Sequence, residues 1–108
     1  MGASEMWAKI VGVVLVLIGI LGFFMGGSVF GFDVNLMHNI VHLATGAIFL
    51  WAGFSSSAQM VNKWLGIVYI AVGIVGFFGV LAFLNVNTAD NILHLVIGAI
   101  SAWLGFKG

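Results

Sequence analysis

A two-helix unit is written twice in this chain, and that duplication constrains the fold more than any other feature. Residues 9–24 read KIVGVVLVLIGILGFF and residues 63–78 read KWLGIVYIAVGIVGFF. Further along, 34–43 read VNLMHNIVHL and 86–95 read VNTADNILHL. Gly12, Gly19 and Gly22 recur as Gly66, Gly73 and Gly76, an offset of 54. Asn35, Asn39, His42, Gly46, Gly53 and Phe54 recur as Asn87, Asn91, His94, Gly98, Gly105 and Phe106, an offset of 52. The two-residue difference falls in the connector around Gly26–Asp33. Repeat 1 is placed at 7–54 and repeat 2 at 62–106, within a single membrane domain covering 1–108.

Each unit is too apolar for water. Hydrophobic residues make up 63% of the chain and charged residues 6%, and a soluble domain of this size carries far more surface charge. Four apolar stretches, near 7–25, 35–54, 64–84 and 88–106, are each close to the ~20 residues a helix needs to cross a bilayer. The first resembles a signal peptide, but its repeat partner lies mid-chain and no A-x-A site follows it, so it is read as a retained helix. Short connectors make sequential helices antiparallel neighbours. The expected fold is all-α: an integral membrane four-helix bundle of two tandem, parallel two-helix repeats. There is no proline, so no proline kink is expected.

Orientation rests on three lysines. Lys9, Lys63 and Lys107 fall at one face of the membrane, and Asp33, Asp90 and His38 at the other. The positive-inside rule then places both termini in the cytoplasm. Trp7, Trp51, Trp64 and Trp103 fall near the lysine face, where an aromatic belt forms. Two spans per repeat return the chain to its starting side. The repeats are therefore related by a pseudo-twofold axis along the membrane normal, unlike the inverted repeats of many transporters.

At ~100° per residue, nearly every polar or small residue of each even-numbered helix shares one face. On the second helix these are Asn35, His38, Asn39, His42, Gly46, Phe49 and Gly53. On the fourth they are Asn87, Asp90, Asn91, His94, Gly98, Ser101 and Gly105. The opposite faces, with Ile40, Leu43, Ala47 and Leu50 or Ile92, Leu95, Ala99 and Ala102, meet lipid or other helices. Glycines at seven-residue spacing (Gly12, Gly19, Gly26; Gly66, Gly73; Gly46, Gly53; Gly98, Gly105), with Gly22 and Gly76 one turn on, let backbones approach closely in lipid. Tight packing is the preferred reading, and room for a flat cofactor lying against the helices is the alternative.

Residues 35–42 read NLMHNIVH and 87–94 read NTADNILH. Asn35 and Asn87 sit where helices begin and are expected N-caps, with Thr88 competing. Asp90 in the first turn favours the positive helix end. His42 lies seven residues into its helix, about 10 Å below the cap, where polar side chains are rare and need partners. The i, i+3 spacing lets Asn39 meet His42 and Asn91 meet His94. Three explanations compete. Asn39, His42, Asn91 and His94 form a closed hydrogen-bond network that fixes helix register. Alternatively, His42 and His94 are axial ligands of a non-covalent haem b or a chlorophyll-type pigment. Or His38, Asp90, His42 and His94 line a proton path or share a zinc ion, since i, i+4 histidines can do so. The first is preferred, so no cofactor and no metal are assigned.

Other chemistry is thinly supported. Without cysteine there is no disulfide, thiolate zinc site or Cys nucleophile. No P-loop, HExxH or triad order is present, so the chain is read as not an enzyme. Zero net charge without a basic cluster argues against nucleic acid. Ser55, Ser56, Ser57, Gln59 and Asn62 read as a polar connector, Asp33 as a turn residue beside Gly31, and Glu5 as solvated.

With HNIVHLATGAIFLWAG at 38–53 and DNILHLVIGAISAWLG at 90–105 in view, the chain resembles a family of small bacterial four-helix membrane proteins classed only as a domain of unknown function. The resemblance implies the four-helix fold and a bacterial inner membrane, and no activity. His38 stands where the second copy has Asp90 and breaks the symmetry of the halves. The expected role is a structural or accessory subunit, partnered by the bilayer and by other membrane subunits or copies of itself. The cofactor reading is the alternative.

Overall fold

Each of the four apolar stretches is an α-helix in the computed structural model, which describes residues 2–79 and 86–107. The helices are α1 (Ala3–Gly22), α2 (Leu36–Gly53), α3 (Ala58–Gly76) and α4 (Thr88–Lys107). All four are long and apolar enough to span a membrane. At 1.5 Å per residue a 20-residue helix covers about 30 Å, the thickness of the hydrocarbon core. The chain is a multi-pass helical bundle.

The helices begin and end differently from the hydropathy reading. Both odd-numbered helices start earlier: α1 at Ala3 rather than 7, and α3 at Ala58 rather than 64. Gln59 and Asn62, expected in the connector, lie in the first turns of α3. Tertiary partners recruit them. The Asn62 amide donates to the Ser4 carbonyl at 2.9 Å, and the Gln59 amide donates to the Gly105 carbonyl at 3.1 Å. The second bond satisfies one of the carbonyls that a helix C-terminus leaves without a partner. Both odd helices also stop early, at Gly22 and Gly76, each followed by a phenylalanine whose N–H bonds back into the last turn. The expected extension of the third helix over 80–84 lies outside the described residues.

Between α1 and α2 the connector makes a small β-hairpin, β1 (Ser28–Val29) with β2 (Phe32–Asp33). Ser28 pairs with Asp33 and Val29 with Phe32. Its two-residue turn is Phe30–Gly31, with φ of 50° and 90°. Two positive φ values in succession match the twist of paired strands. Asp33 is thus a strand residue, correcting the turn assignment by two positions.

N-caps anchor α2 and α4 at this end. The Asn35 side chain accepts from the His38 N–H at 2.9 Å. Asn87 and Asp90 cap reciprocally: Oδ1 of Asn87 accepts from the Asp90 N–H, and Oδ2 of Asp90 accepts from the Asn87 N–H, both at 2.9 Å. Asn87 therefore prevails over Thr88. Its amide also donates to the Gly31 carbonyl at 2.9 Å, tying the β-hairpin to α4. Asn87→Ala removes the cap and this tie together. The expected cost is about 1–2 kcal/mol, read as a lowered unfolding midpoint in micelles; an unchanged midpoint would show that neither bond matters.

Packing is closest within the pairs α1–α2 and α3–α4. A Cβ added at Gly46 would stand 2.8 Å from the Val16 backbone nitrogen, and one at Gly98 would stand 2.5 Å from that of Ile70. Gly12 faces the Leu50 backbone, Gly66 that of Ala102, Gly19 faces Leu43 and Gly73 faces Leu95. Gly53 and Gly105 lie against Lys9 and Lys63. The partners in one hairpin correspond to those in the other at the offsets of the sequence match. Ala102, placed on a face for lipid or other helices, is buried because α3 lies against it. The two hairpins meet over a core that includes Ala8, Val11, Leu15, Phe49, Ala52, Val61, Tyr69 and Ile97. At the lysine end the Trp7 indole N–H donates to Ser101 Oγ at 2.7 Å, which joins α1 to α4.

Candidate functional site

The polar stripes of α2 and α4 both point inward. His38, Asn39, His42, Gly46, Phe49 and Gly53 are buried on α2, and Asp90, Asn91, His94, Gly98, Ser101 and Gly105 on α4. The reason is local. A face rich in glycine and polar groups cannot match lipid but can receive a neighbouring backbone.

Three imidazoles converge where the stripes meet. The His38 and His42 ring centroids are 4.2 Å apart, as i, i+4 residues on one helix face. His94, from the other hairpin, is 5.7 Å from His38 and 6.0 Å from His42. Exposure is 1% for His38, 1% for His42 and 3% for His94. One ligand atom from each lies within 4.8 Å of the other two. Among the described residues, neither ring nitrogen of His42 has a hydrogen-bond partner, nor does Nδ1 of His94.

Beside the rings is a cavity of about 70 Å³, lined by the three histidines with Val41, Thr45, Val68, Tyr69 and Val72. The Tyr69 ring lies 5.5 Å from that of His94, and its hydroxyl is 2.6 Å from Thr45 Oγ1. Thr45 spends its own proton on the Val41 carbonyl, 2.8 Å away. The Tyr69 hydroxyl therefore donates to Thr45, and its oxygen keeps acceptor capacity.

The asparagines do not bond to the histidines as the i, i+3 spacing suggests. The amide of Asn39 packs onto Gly22 of α1, and that of Asn91 onto Gly76 of α3. Their Oδ1 atoms have no N–H or O–H donor among the described residues. Each oxygen instead faces the glycine Cα where a side chain would begin, so a Cα–H is the contact it receives, a weak but recurrent one at helix interfaces. The closed Asn–His network is thus replaced by two Asn–Gly contacts, one inside each hairpin, and a separate histidine cluster between hairpins. Spacing along one helix makes glycine a gap and asparagine a ring partner; across two helices they belong together.

Sequence reasoning brings His42 and His94 together and gives His38 no place in the preferred network. The i, i+4 spacing of His38 and His42 is the signal that points to it. Tyr69 and Thr45 carry no such signal, since each is a single hydroxyl outside the repeated Asn and His positions. Asp90 is fully buried at the start of α4, one turn from His94, with Oδ1 lacking a hydrogen-bond partner among the described residues. It is not one of the three clustered groups.

The arrangement bears on which ligands fit. Drug-sized ligands occupy pockets of roughly 300–1,000 Å³, and the cavity here is about 70 Å³. With His38 packed on His42, a porphyrin between His42 and His94 would require the hairpins to part. An ion or a water molecule needs no such movement.

A family model described as a domain of unknown function (DUF4383) matches residues 5–107. No curated protein matches the chain, and no solved structure does. With nearly the whole chain matched, it belongs to this family.

Proposed function

We propose that this DUF4383 family member is a non-catalytic accessory subunit of the bacterial inner membrane, packing beside a larger membrane complex or against copies of itself. The observation that carries the reading is its apolar exterior. Large hydrophobic side chains are exposed along all four helices, among them Leu17, Ile48, Val68 and Val96, while the polar stripes are turned inward. Such a surface has lipid or other membrane helices as its natural neighbours.

The lysine end supports an orientation with both termini cytoplasmic. Lys9 lies 4.3 Å over the Phe54 ring, Lys63 4.9 Å over Phe106, and Lys107 4.7 Å over Trp103. Cations held against aromatic rings at one end suit a headgroup layer. We also read the two hairpins as parallel repeats. The matched glycine contacts support this.

The test is extraction into lipid-bearing nanoparticles without harsh detergent, followed by native mass spectrometry. The expected species is heavier than the 11.4 kDa chain, containing further copies or another membrane protein. An isolated single chain at native expression would overturn the reading. A Soret band that vanishes in His42→Ala would replace it with the haem alternative.

A further inference from the structure

We infer that His38, His42 and His94 form a binding site for one divalent transition-metal ion of the zinc class, held between the two hairpins inside the membrane span. The inference is independent of the accessory-subunit reading, since an isolated chain could hold the ion.

The chain has three histidines in all, and all three are in this cluster. They come from positions 38, 42 and 94 on two helices, so local sequence alone does not bring them together. Burial without hydrogen bonds is costly for an imidazole. His42 bears that cost at both nitrogens, and His94 bears it at Nδ1. A metal ion takes up a ring lone pair and removes part of it.

The spacing suits such an ion. Zinc–nitrogen bonds of 2.0–2.1 Å at tetrahedral angles set donor atoms about 3.3 Å apart. Donors already within 4.8 Å of one another reach that separation by small side-chain rotations. The pair at i, i+4 supplies two ligands from one turn of α2, and His94 supplies the third from α4. Three imidazoles leave a fourth position, as in zinc sites that keep one place for water. The cavity lined by Thr45 and Tyr69 adjoins the rings and has room for it. Imidazole donors without thiolate favour zinc, copper, nickel or iron, whereas calcium and magnesium need oxygen ligands.

Charge is the obstacle, because three neutral ligands leave the ion's two positive charges in lipid. The acidic group that α4 carries in the same stripe is Asp90, outside the cluster itself. It is buried one helical turn from His94, about 6 Å along the axis, with one carboxylate oxygen lacking a hydrogen-bond partner among the described residues.

The experiment uses the full chain carrying a tag without histidine, purified in mild detergent and stripped with chelator. It is then loaded with Zn²⁺ or Co²⁺ and desalted. The expected result is close to one ion per chain, with the visible bands of tetrahedral Co²⁺, displaced by added Zn²⁺. His42→Gln and His94→Gln, checked for helicity and a single elution peak, are each expected to weaken Co²⁺ binding by more than about tenfold. Should those variants misfold, the wild-type chain decides alone: no retained metal and no Co²⁺ bands would overturn the site. Binding that persists unchanged in a folded His42→Gln would overturn it equally.

Discussion

Gly66→Ala is expected to destabilise the α3–α4 hairpin by about 1–3 kcal/mol, the range for inserting a methyl into a tightly packed interface. The new methyl meets the backbone nitrogen and Cα of Ala102. Backbone atoms on a facing helix cannot rotate away, so the helices must separate along the seam. The loss is expected even though alanine gains up to ~1 kcal/mol over glycine in helix propensity. Gly76→Ala is the comparison. There the methyl meets first the amide oxygen of Asn91, the far end of a side chain that can swing aside. Unfolding midpoints of both variants in the same micelles check the point. A midpoint for Gly66→Ala equal to or above that of Gly76→Ala would show that backbone approach is not what limits this interface.

Phe49→Ala is expected to cost roughly 2–4 kcal/mol, around and below the lower end of the range for aromatic truncation in protein cores. Phe49 is 0% exposed, and its ring meets that of Tyr69 edge-on at 6.2 Å. In lipid the transfer term largely disappears, because separated helices still sit in an apolar medium. What remains is the void, whose walls forgo the dispersion attraction that the ring supplied. Phe24→Ala separates the two terms. Phe24 is 83% exposed, so its removal leaves no internal void and is expected to change the midpoint little. Equal effects of the two substitutions would refute a packed core beneath the histidines.

The places where sequence and structure part have physical causes. Asn35 and Asn87 are legible as caps because capping is decided within four residues. The hidden stripes are legible because helical periodicity is equally local. Gln59 and Asn62 have a polarity that suits a connector, and only the carbonyls of Gly105 and Ser4 in other helices make a helical position favourable. Spacing alone pairs Asn39 with His42. Its amide goes to Gly22 because α1 approaches closely enough for a glycine to receive it, a fact about two helices and not about one.

By itself, then, the chain's order of residues determined four membrane-length helices, the face that each even-numbered helix hides, and the caps that start α2 and α4. Each depends on interactions spanning a turn or two, or on the cost of placing a side chain in lipid. Tertiary structure decided among the readings the sequence left open: His94 comes onto the His38–His42 pair, the asparagines and Asp90 stay outside that cluster, and Tyr69 and Thr45 border it. Those outcomes depend on the rotation and depth of one hairpin against the other. That relation is set by where glycines admit a neighbouring backbone over the whole length of the seam, and it cannot be read from any single helix.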